Sequence, residues 1–337
     1  MKKYLFIALA AAALTSCSSD DTLDVIQGEA IAFGGGFIEN ATRATTIGYT
    51  SDNLKEFTLY GTVTNSGNAN NTVLLYNAEK VTGTVGANLW TGYSTHYWID
   101  GANYKFAAVV DASTVNCDGN GMPTTLTYNL ADQKDMLYDE EVTTGAANHD
   151  VIKFNFTHLV SKVYFTFASS MADDSEYKYK VRDVEIYSGL VTSGTYACAK
   201  DGEGSWTMGT ALTNTTNTAD NIVFGNICGK GDTEDTSNTE CASDYLTTTG
   251  LTSHYAKFVI PGAQTFNVRY VVDLYLVKNN TETLIKTETK TAENIEATFE
   301  KNHVYNIKGT LGLNKPIQFT VNSMTSWEDA PKAEVEM

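Results

Sequence analysis

The chain has 337 residues and a formal net charge of -17, from 40 acidic against 23 basic side chains. No basic stripe is present, which excludes a duplex nucleic-acid binder, because such proteins need clustered Lys and Arg to displace phosphate counterions. Four prolines occur beside 26 glycines and 19 tyrosines, and long helical periodicity is scarce. With threonine, valine and phenylalanine suited to half-buried pleated surfaces, this predicts an all-β protein long enough for two domains.

Met1-Lys2-Lys3 is a short basic start, and Tyr4 to Leu14 is an apolar stretch too short to span a bilayer. Leu14-Thr15-Ser16-Cys17 then places a cysteine where a small-residue cleavage site would release a mature chain. This resembles a bacterial lipobox, in which Cys17 is acylated and becomes the new N-terminus. One acyl chain binds a membrane only marginally, whereas two or more hold firmly, so residues 1–17 are read as a lipoprotein signal peptide. Ser18-Ser19-Asp20-Asp21 follows and resembles the surface-export signal of Bacteroidota lipoproteins, with a plain solvated tether as the alternative. No later segment is apolar for long enough to cross a membrane.

Residues 18–43 read as tether and leader. They contain one short apolar piece, Ala30-Ile31-Ala32-Phe33, a break at Gly34-Gly35-Gly36, and then Thr42-Arg43-Ala44-Thr45. Short alternating runs bounded by turn residues follow, the pattern of strands. They are Phe57 to Val63, Thr72 to Tyr76, and Tyr97-Trp98-Ile99 turning at Asp100-Gly101 into Tyr104 to Val110. Asp118 to Pro123 is a turn cluster. In 152–167, Ile152, Phe154, Phe156, His158 and Val160 share one parity and Val163, Phe165 and Phe167 the other. Side chains alternate faces with period two, so the switch predicts a bulge or bend near Ser161-Lys162. Val181 to Tyr187, Val268 to Leu276, His303 to Ile307 and Ile317 to Val321 are further strands, and 209–254 reads as a long loop region with short strands. Sheets with one buried face account for the alternation. Two β-sandwich domains joined near 145–152, assigned to 44–150 and 151–337, are the economical reading.

Four cysteines follow Cys17: Cys117, Cys198, Cys228 and Cys241. An exported chain permits two disulfides in three pairings; Cys228 with Cys241 across a polar loop is the first candidate, and four unpaired thiols the alternative. Catalytic chemistry is not evident. Gly225 to Gly231 falls one residue short of a phosphate loop and lacks Ser or Thr after Lys230. The five histidines show no metal-ligand spacing, and His158 reads as a hydrogen-bonded core residue. Asp232 to Asp235 lacks the ligand alternation of a calcium loop. The expectation is no enzyme, no cofactor and no metal.

Five features in this order resemble the fimbrillin family of Bacteroidales, the subunits of type V pili. They are the lipobox at Cys17; Thr42-Arg43-Ala44-Thr45; Tyr97 to Gly101 leading to Tyr104-Lys105-Phe106-Ala107-Ala108; Asp135 to Tyr138 with Phe154 to Val163; and His303 to Ile307 with Ile317 to Val321 and Trp327. The resemblance implies two tandem transthyretin-like β-sandwich domains. It also implies a route: an outer-membrane lipoprotein precursor, cut between Arg43 and Ala44 by an arginine-specific protease, then joined to other pilin subunits by strand exchange in an extracellular pilus. Ala30 to Phe33 is the candidate self-filling strand, and Ile317, Phe319 and Val321, with the tail behind them, the candidate donor. The polar tail after Trp327 is a poor donor by itself, which leaves stalk, tip and anchor roles open. A tip adhesin or surface lipoprotein binding glycan or host protein is the alternative. Loops 65–71 and 209–245 would carry it, with Trp90, Tyr93 or Trp206 as stacking residues; core burial is the competing role for those rings.

Overall fold

The computed structural model describes residues 28–34, 37–38, 48–50, 53–65, 71–83, 90–146, 149–213, 220–229, 240–312 and 315–324. Among them are nineteen strands and two short 3-10 turns, so the protein is all-β. In chain order the strands are β1 Phe37–Ile38, β2 Glu56–Thr64, β3 Thr72–Thr82, β4 Asn103–Val110, β5 Thr114–Cys117, β6 Pro123–Asn129 and β7 Leu137–Thr143. Then come β8 Asn155–His158, β9 Ser161–Ser169, β10 Tyr177–Ser188, β11 Ser193–Ala197, β12 Trp206–Met208 and β13 Ile222–Gly225. The last are β14 Leu251–Thr252, β15 Lys257–Val259, β16 Gly262–Lys278, β17 Thr281–Phe299, β18 Val304–Gly312 and β19 Lys315–Met324.

These strands form four sheets. An N-terminal six-stranded sheet runs β1-β8-β7-β4-β2-β3, and a four-stranded sheet runs β12-β11-β6-β5. The remaining two are β13-β10-β16-β17 and β14-β9-β18-β19, with β15 also paired to β9. Most ladders are antiparallel; β1 with β8 and β18 with β9 are parallel.

The burial pattern explains the sequence pattern. On β4, Tyr104, Phe106, Ala108 and Val110 enter one core, which also holds Phe57, Leu59, Phe154 and Phe156. The alternate residues Ala107 and Val109 enter a second core together with Tyr60 and Tyr138. A strand covered on both faces reads as a near-continuous apolar run rather than an alternation, which is the character of Ala107-Ala108-Val109-Val110. Strand β9 is buried along its whole length for the same reason.

Two expectations change in detail. The parity switch in 152–167 is a change of sheet, not a bulge: β8 lies in the N-terminal sheet between β1 and β7, and β9 begins three residues later in another. Phe154 and Phe156 therefore serve the first core, and Val163, Phe165 and Phe167 the second. The chain also crosses residue 150 in both directions. Strand β8, after it, belongs to the N-terminal sheet, while β5 and β6, before it, pair within the sheet that contains β11 and β12.

Candidate functional site: the leader segment and the slot it fills

Ile31 and Phe33 are the apolar residues of a short segment that is otherwise small or polar, and period-two spacing puts both on one face. The structure buries them almost completely, at 2% and 0% exposure. Phe33 lies among four rings, with centroids 5.5 Å to Tyr76, 5.0 Å to Tyr93, 5.3 Å to Phe106 and 5.9 Å to Phe154. The first three contacts are edge-to-face and the last stacked, geometries that add to simple area burial. Burying two such side chains contributes about 1.5–3 kcal/mol each.

The backbone of the segment is satisfied on both sides. Towards the Tyr97 stretch, the Ile31 amide donates to the His96 carbonyl (2.8 Å) and the Trp98 amide to the Glu29 carbonyl (2.9 Å). Towards Ile152, the Ile152 amide donates to Ala32 O (2.9 Å) and the Gly34 amide to Ile152 O (3.0 Å). The Trp90 amide completes the set by donating to the Phe33 carbonyl (2.9 Å). Bridges Ala30–Tyr97 and Phe33–Ile152 record the same pairing. Beyond it, β1 continues parallel to β8 with Phe37 opposite Asn155 and Ile38 opposite Phe156. The leader is thus an inserted strand, hydrogen-bonded to two neighbours and facing a ring-lined slot.

The chain is anchored again after the leader. The Tyr49 amide donates to Asp135 Oδ2 (2.7 Å), and the Tyr49 hydroxyl to Asp111 Oδ2 (2.7 Å). Burial and the Asp111 carboxylate push the Tyr49 phenol well above its ordinary range. The other Asp135 oxygen meets His158 Nδ1 at 2.9 Å, with both side chains buried. His158 is therefore held within the core by a carboxylate that also fixes the start of the following segment. Cys17, Arg43 and Ala44 lie outside the described residues, as do Trp327 and the tail behind it.

The other candidate strand is built differently. Among the described residues strand β19 pairs on one side, antiparallel to β18 with Ile307 opposite Val321 and Gly309 opposite Phe319, and it ends the sheet order. Ile317, Phe319 and Val321 are half-buried against the second core, while Gln318 and Thr320 are exposed. Phe319 reaches Phe167 at 5.6 Å and Tyr270 at 6.0 Å between centroids. Gly309 eases this seat, because a Cβ there would lie 2.9 Å from Phe319 Cε1 and 3.0 Å from Ile317 Cδ1.

Cys228 and Cys241 are joined by a disulfide, with Cα atoms 6.3 Å apart; Cys117 and Cys198 are free thiols. Burial pushes the Cys198 thiol up to about 12. The rings considered for stacking are drawn into packing instead. Trp90 and Tyr93 lie against the first core, and Trp206 against the second, its Nε1 donating to the Leu159 carbonyl at 2.8 Å.

Sequence reasoning missed the long hairpin of β16 and β17. Asn279 and Asn280 both take positive φ (51° and 60°) between paired Lys278 and Thr281, as a two-residue hairpin turn requires. The Asn-Asn pair was the available signal. Strand β17 itself is mostly exposed on both faces, Leu284 and Ile285 included, until Ile295, Ala297 and Phe299 enter the core.

The model of the fimbrillin-like family matches residues 42–327, and that of the prokaryotic membrane lipoprotein lipid attachment site matches residues 1–18, which include Cys17. Comparison with curated proteins gave no match. Among solved structures, a fimbrial protein from Bacteroides vulgatus is similar at 16% identity and a TM-score of 0.54, covering 87% of this chain and 98% of its own. A putative cell adhesion protein from Bacteroides ovatus is similar at 15% identity and a TM-score of 0.47, with 88% and 96% covered. At 16% identity the likeness to the Bacteroides vulgatus protein bears on fold alone. The family match spans most of the chain, and the chain belongs to the fimbrillin-like family, not to an enzyme family.

Proposed function

We propose that this chain is a structural subunit of a surface pilus, exported as an outer-membrane lipoprotein on Cys17 and polymerised by protease-triggered strand exchange. The observation that carries the reading is the leader itself: Ile31 and Phe33 fill a slot with hydrogen-bonding groups on both of its walls. Cleavage between Arg43 and Ala44 by an arginine-specific protease would separate the leader covalently from everything after it. Once the leader departs, the Trp90, Trp98 and Ile152 amides and four aromatic rings face an open trough. Unpaired edges and apolar troughs are templates for another chain. A strand from a neighbouring subunit would supply main-chain bonds for affinity and alternate side chains for specificity. Such a head-to-tail contact does not close, so it propagates as a filament.

The donor is assigned to the C-terminal segment, Ile317, Phe319 and Val321 with the tail behind them. The alternation of half-buried and exposed residues on β19 matches a slot that accepts every second side chain. Two sandwich domains are proposed over 44–150 and 151–337, with β5, β6 and β8 crossing between those spans. Adhesion to a host or bacterial surface ligand follows as a property of the polymer.

N-terminal sequencing of protein sheared from cells tests the route. A start at Ala44 in high-mass material is expected, and Arg43→Ala should leave a lipidated monomer with no ladder on gels. Unchanged polymer from Arg43→Ala would remove the cleavage step from the proposal. A blocked start at Cys17 in all material would instead make the chain a permanent surface lipoprotein.

A further inference from the structure

Beside the Cys228–Cys241 disulfide lies a side chain that a disulfide does not need. His254 is 1% exposed, and its Nδ1 lies 4.0 Å from Cys228 Sγ. Its ring otherwise packs edge-on against Tyr255, with centroids 4.3 Å apart. The Sγ atoms of both cysteines and a ring nitrogen of His254 lie within 4.8 Å of one another. Zinc bound at ~2.3 Å to sulfur and ~2.0 Å to nitrogen places its ligand atoms about 3.5–3.8 Å apart, so small side-chain rotations would suffice.

The backbone holds the three residues together without the covalent bond. Ile227 bridges Ser253, the His254 amide donates to Asn226 O (2.8 Å), and the Cys228 amide donates to Thr252 O (3.1 Å). The Cys241 side is tied by Asn226 Nδ2 donating to the Cys241 carbonyl (2.8 Å) and the Asn226 amide to Glu240 Oε1 (2.6 Å). The Asp244 amide adds a bond to the Ile227 carbonyl at 2.9 Å. Opening the S–S bond would therefore leave two half-buried thiols and one buried imidazole still facing one another.

We propose that Cys228, Cys241 and His254 form a redox-gated zinc site: a disulfide when oxidised, and a two-thiolate, one-imidazole ligand set for Zn(II) when reduced. The gate opens with a small dithiol reductant, which delivers two electrons and two protons to the S–S bond and itself closes to a cyclic disulfide. Zinc then replaces the two thiol protons, which leave to solvent, and takes the lone pair of neutral His254 Nδ1. Three protein ligands leave one coordination position for water. Bound metal would replace the disulfide as the closure of the loop between Cys228 and Cys241, so the reduced protein would regain stability on loading.

The test uses the full chain carrying Cys117→Ser and Cys198→Ser, so that only the paired cysteines remain beyond Cys17. Protein reduced with excess dithiol and desalted without oxygen is titrated with zinc and analysed for bound metal. About one zinc per reduced chain is expected, with none on the oxidised chain, and a rise in melting temperature on loading. Cys228→Ser should abolish binding, and His254→Gln should weaken it at least about tenfold. Should His254→Gln not fold, the zinc-edge absorption spectrum of the reduced parent counts two sulfurs and at least one nitrogen. No zinc on the reduced chain, undiminished affinity in His254→Gln, or a shell without nitrogen would each overturn the proposal.

Discussion

The leader segment and β19 are both short, alternating and apolar on one face, yet the fold holds them in opposite ways. Phe33 is fully buried and its strand is bonded on two sides; Phe319 is half-buried and its strand is bonded on one. An inserted strand leaves two rows of unpaired groups when removed, whereas an edge strand leaves one. Removal of the leader therefore creates the stronger template, and β19 is the cheaper strand to release. This asymmetry is what a subunit needs if one strand is to be replaced and another lent.

The comparison can be broken at several points. Phe33→Ala should have the largest effect, about 3–5 kcal/mol of lost stability in the precursor, because it opens a cavity among four rings. Urea unfolding of the uncleaved chain measures it, and a loss below about 1 kcal/mol would mean the slot collapses without its filler. Phe319→Ala should cost less, about 1–2 kcal/mol, since only part of that ring leaves water. If the two losses were equal, β19 would be no easier to release than the leader.

Gly309→Ala sharpens the second half. Its Cβ would press on the Phe319 and Ile317 side-chain ends, which can shift, so about 1 kcal/mol or less is expected. The signature is local: faster amide hydrogen exchange in β19 with little change in β2 or β4. Uniform exchange across the sheets would tie β19 to the global core. Smallest of all, Leu284→Ser and Ile285→Thr on the β16–β17 hairpin should stay within about 0.5 kcal/mol, because both side chains are 51% exposed. A loss above about 1 kcal/mol in thermal melts would show this arm packed in solution.

Much of the fold was legible because one-sided burial writes itself as alternation. Val268 to Leu276 and Ile317 to Val321 both lie within strands of the structure. Legibility failed where that rule fails. Most of strand β17 before Ile295 has both faces wet, so its Thr, Glu and Lys residues carry no periodic signal. At 152–167 the parity switch was visible, but a bulge and a change of sheet produce the same letters. In the candidate site, Ala30 to Phe33 stood out as an apolar island, while its partners did not. Tyr76, Tyr93, Trp98 and Ile152 come from distant stretches, and nothing local marks them as the walls of one slot.

Sequence alone determined the lipobox at Cys17, the all-β class, the scarcity of basic surface and the fimbrillin-like resemblance. Each rests on residue types in order along the chain, so no folding was needed to read them. Tertiary structure decided which apolar segment is inserted and which lies at an edge, that β5 and β6 join the sheet of β11 and β12, and that His254 sits beside the Cys228–Cys241 pair. Those facts depend on pairing between residues far apart in sequence. Pairing is set by the total burial of the assembled sheets, not by the preference of any one segment.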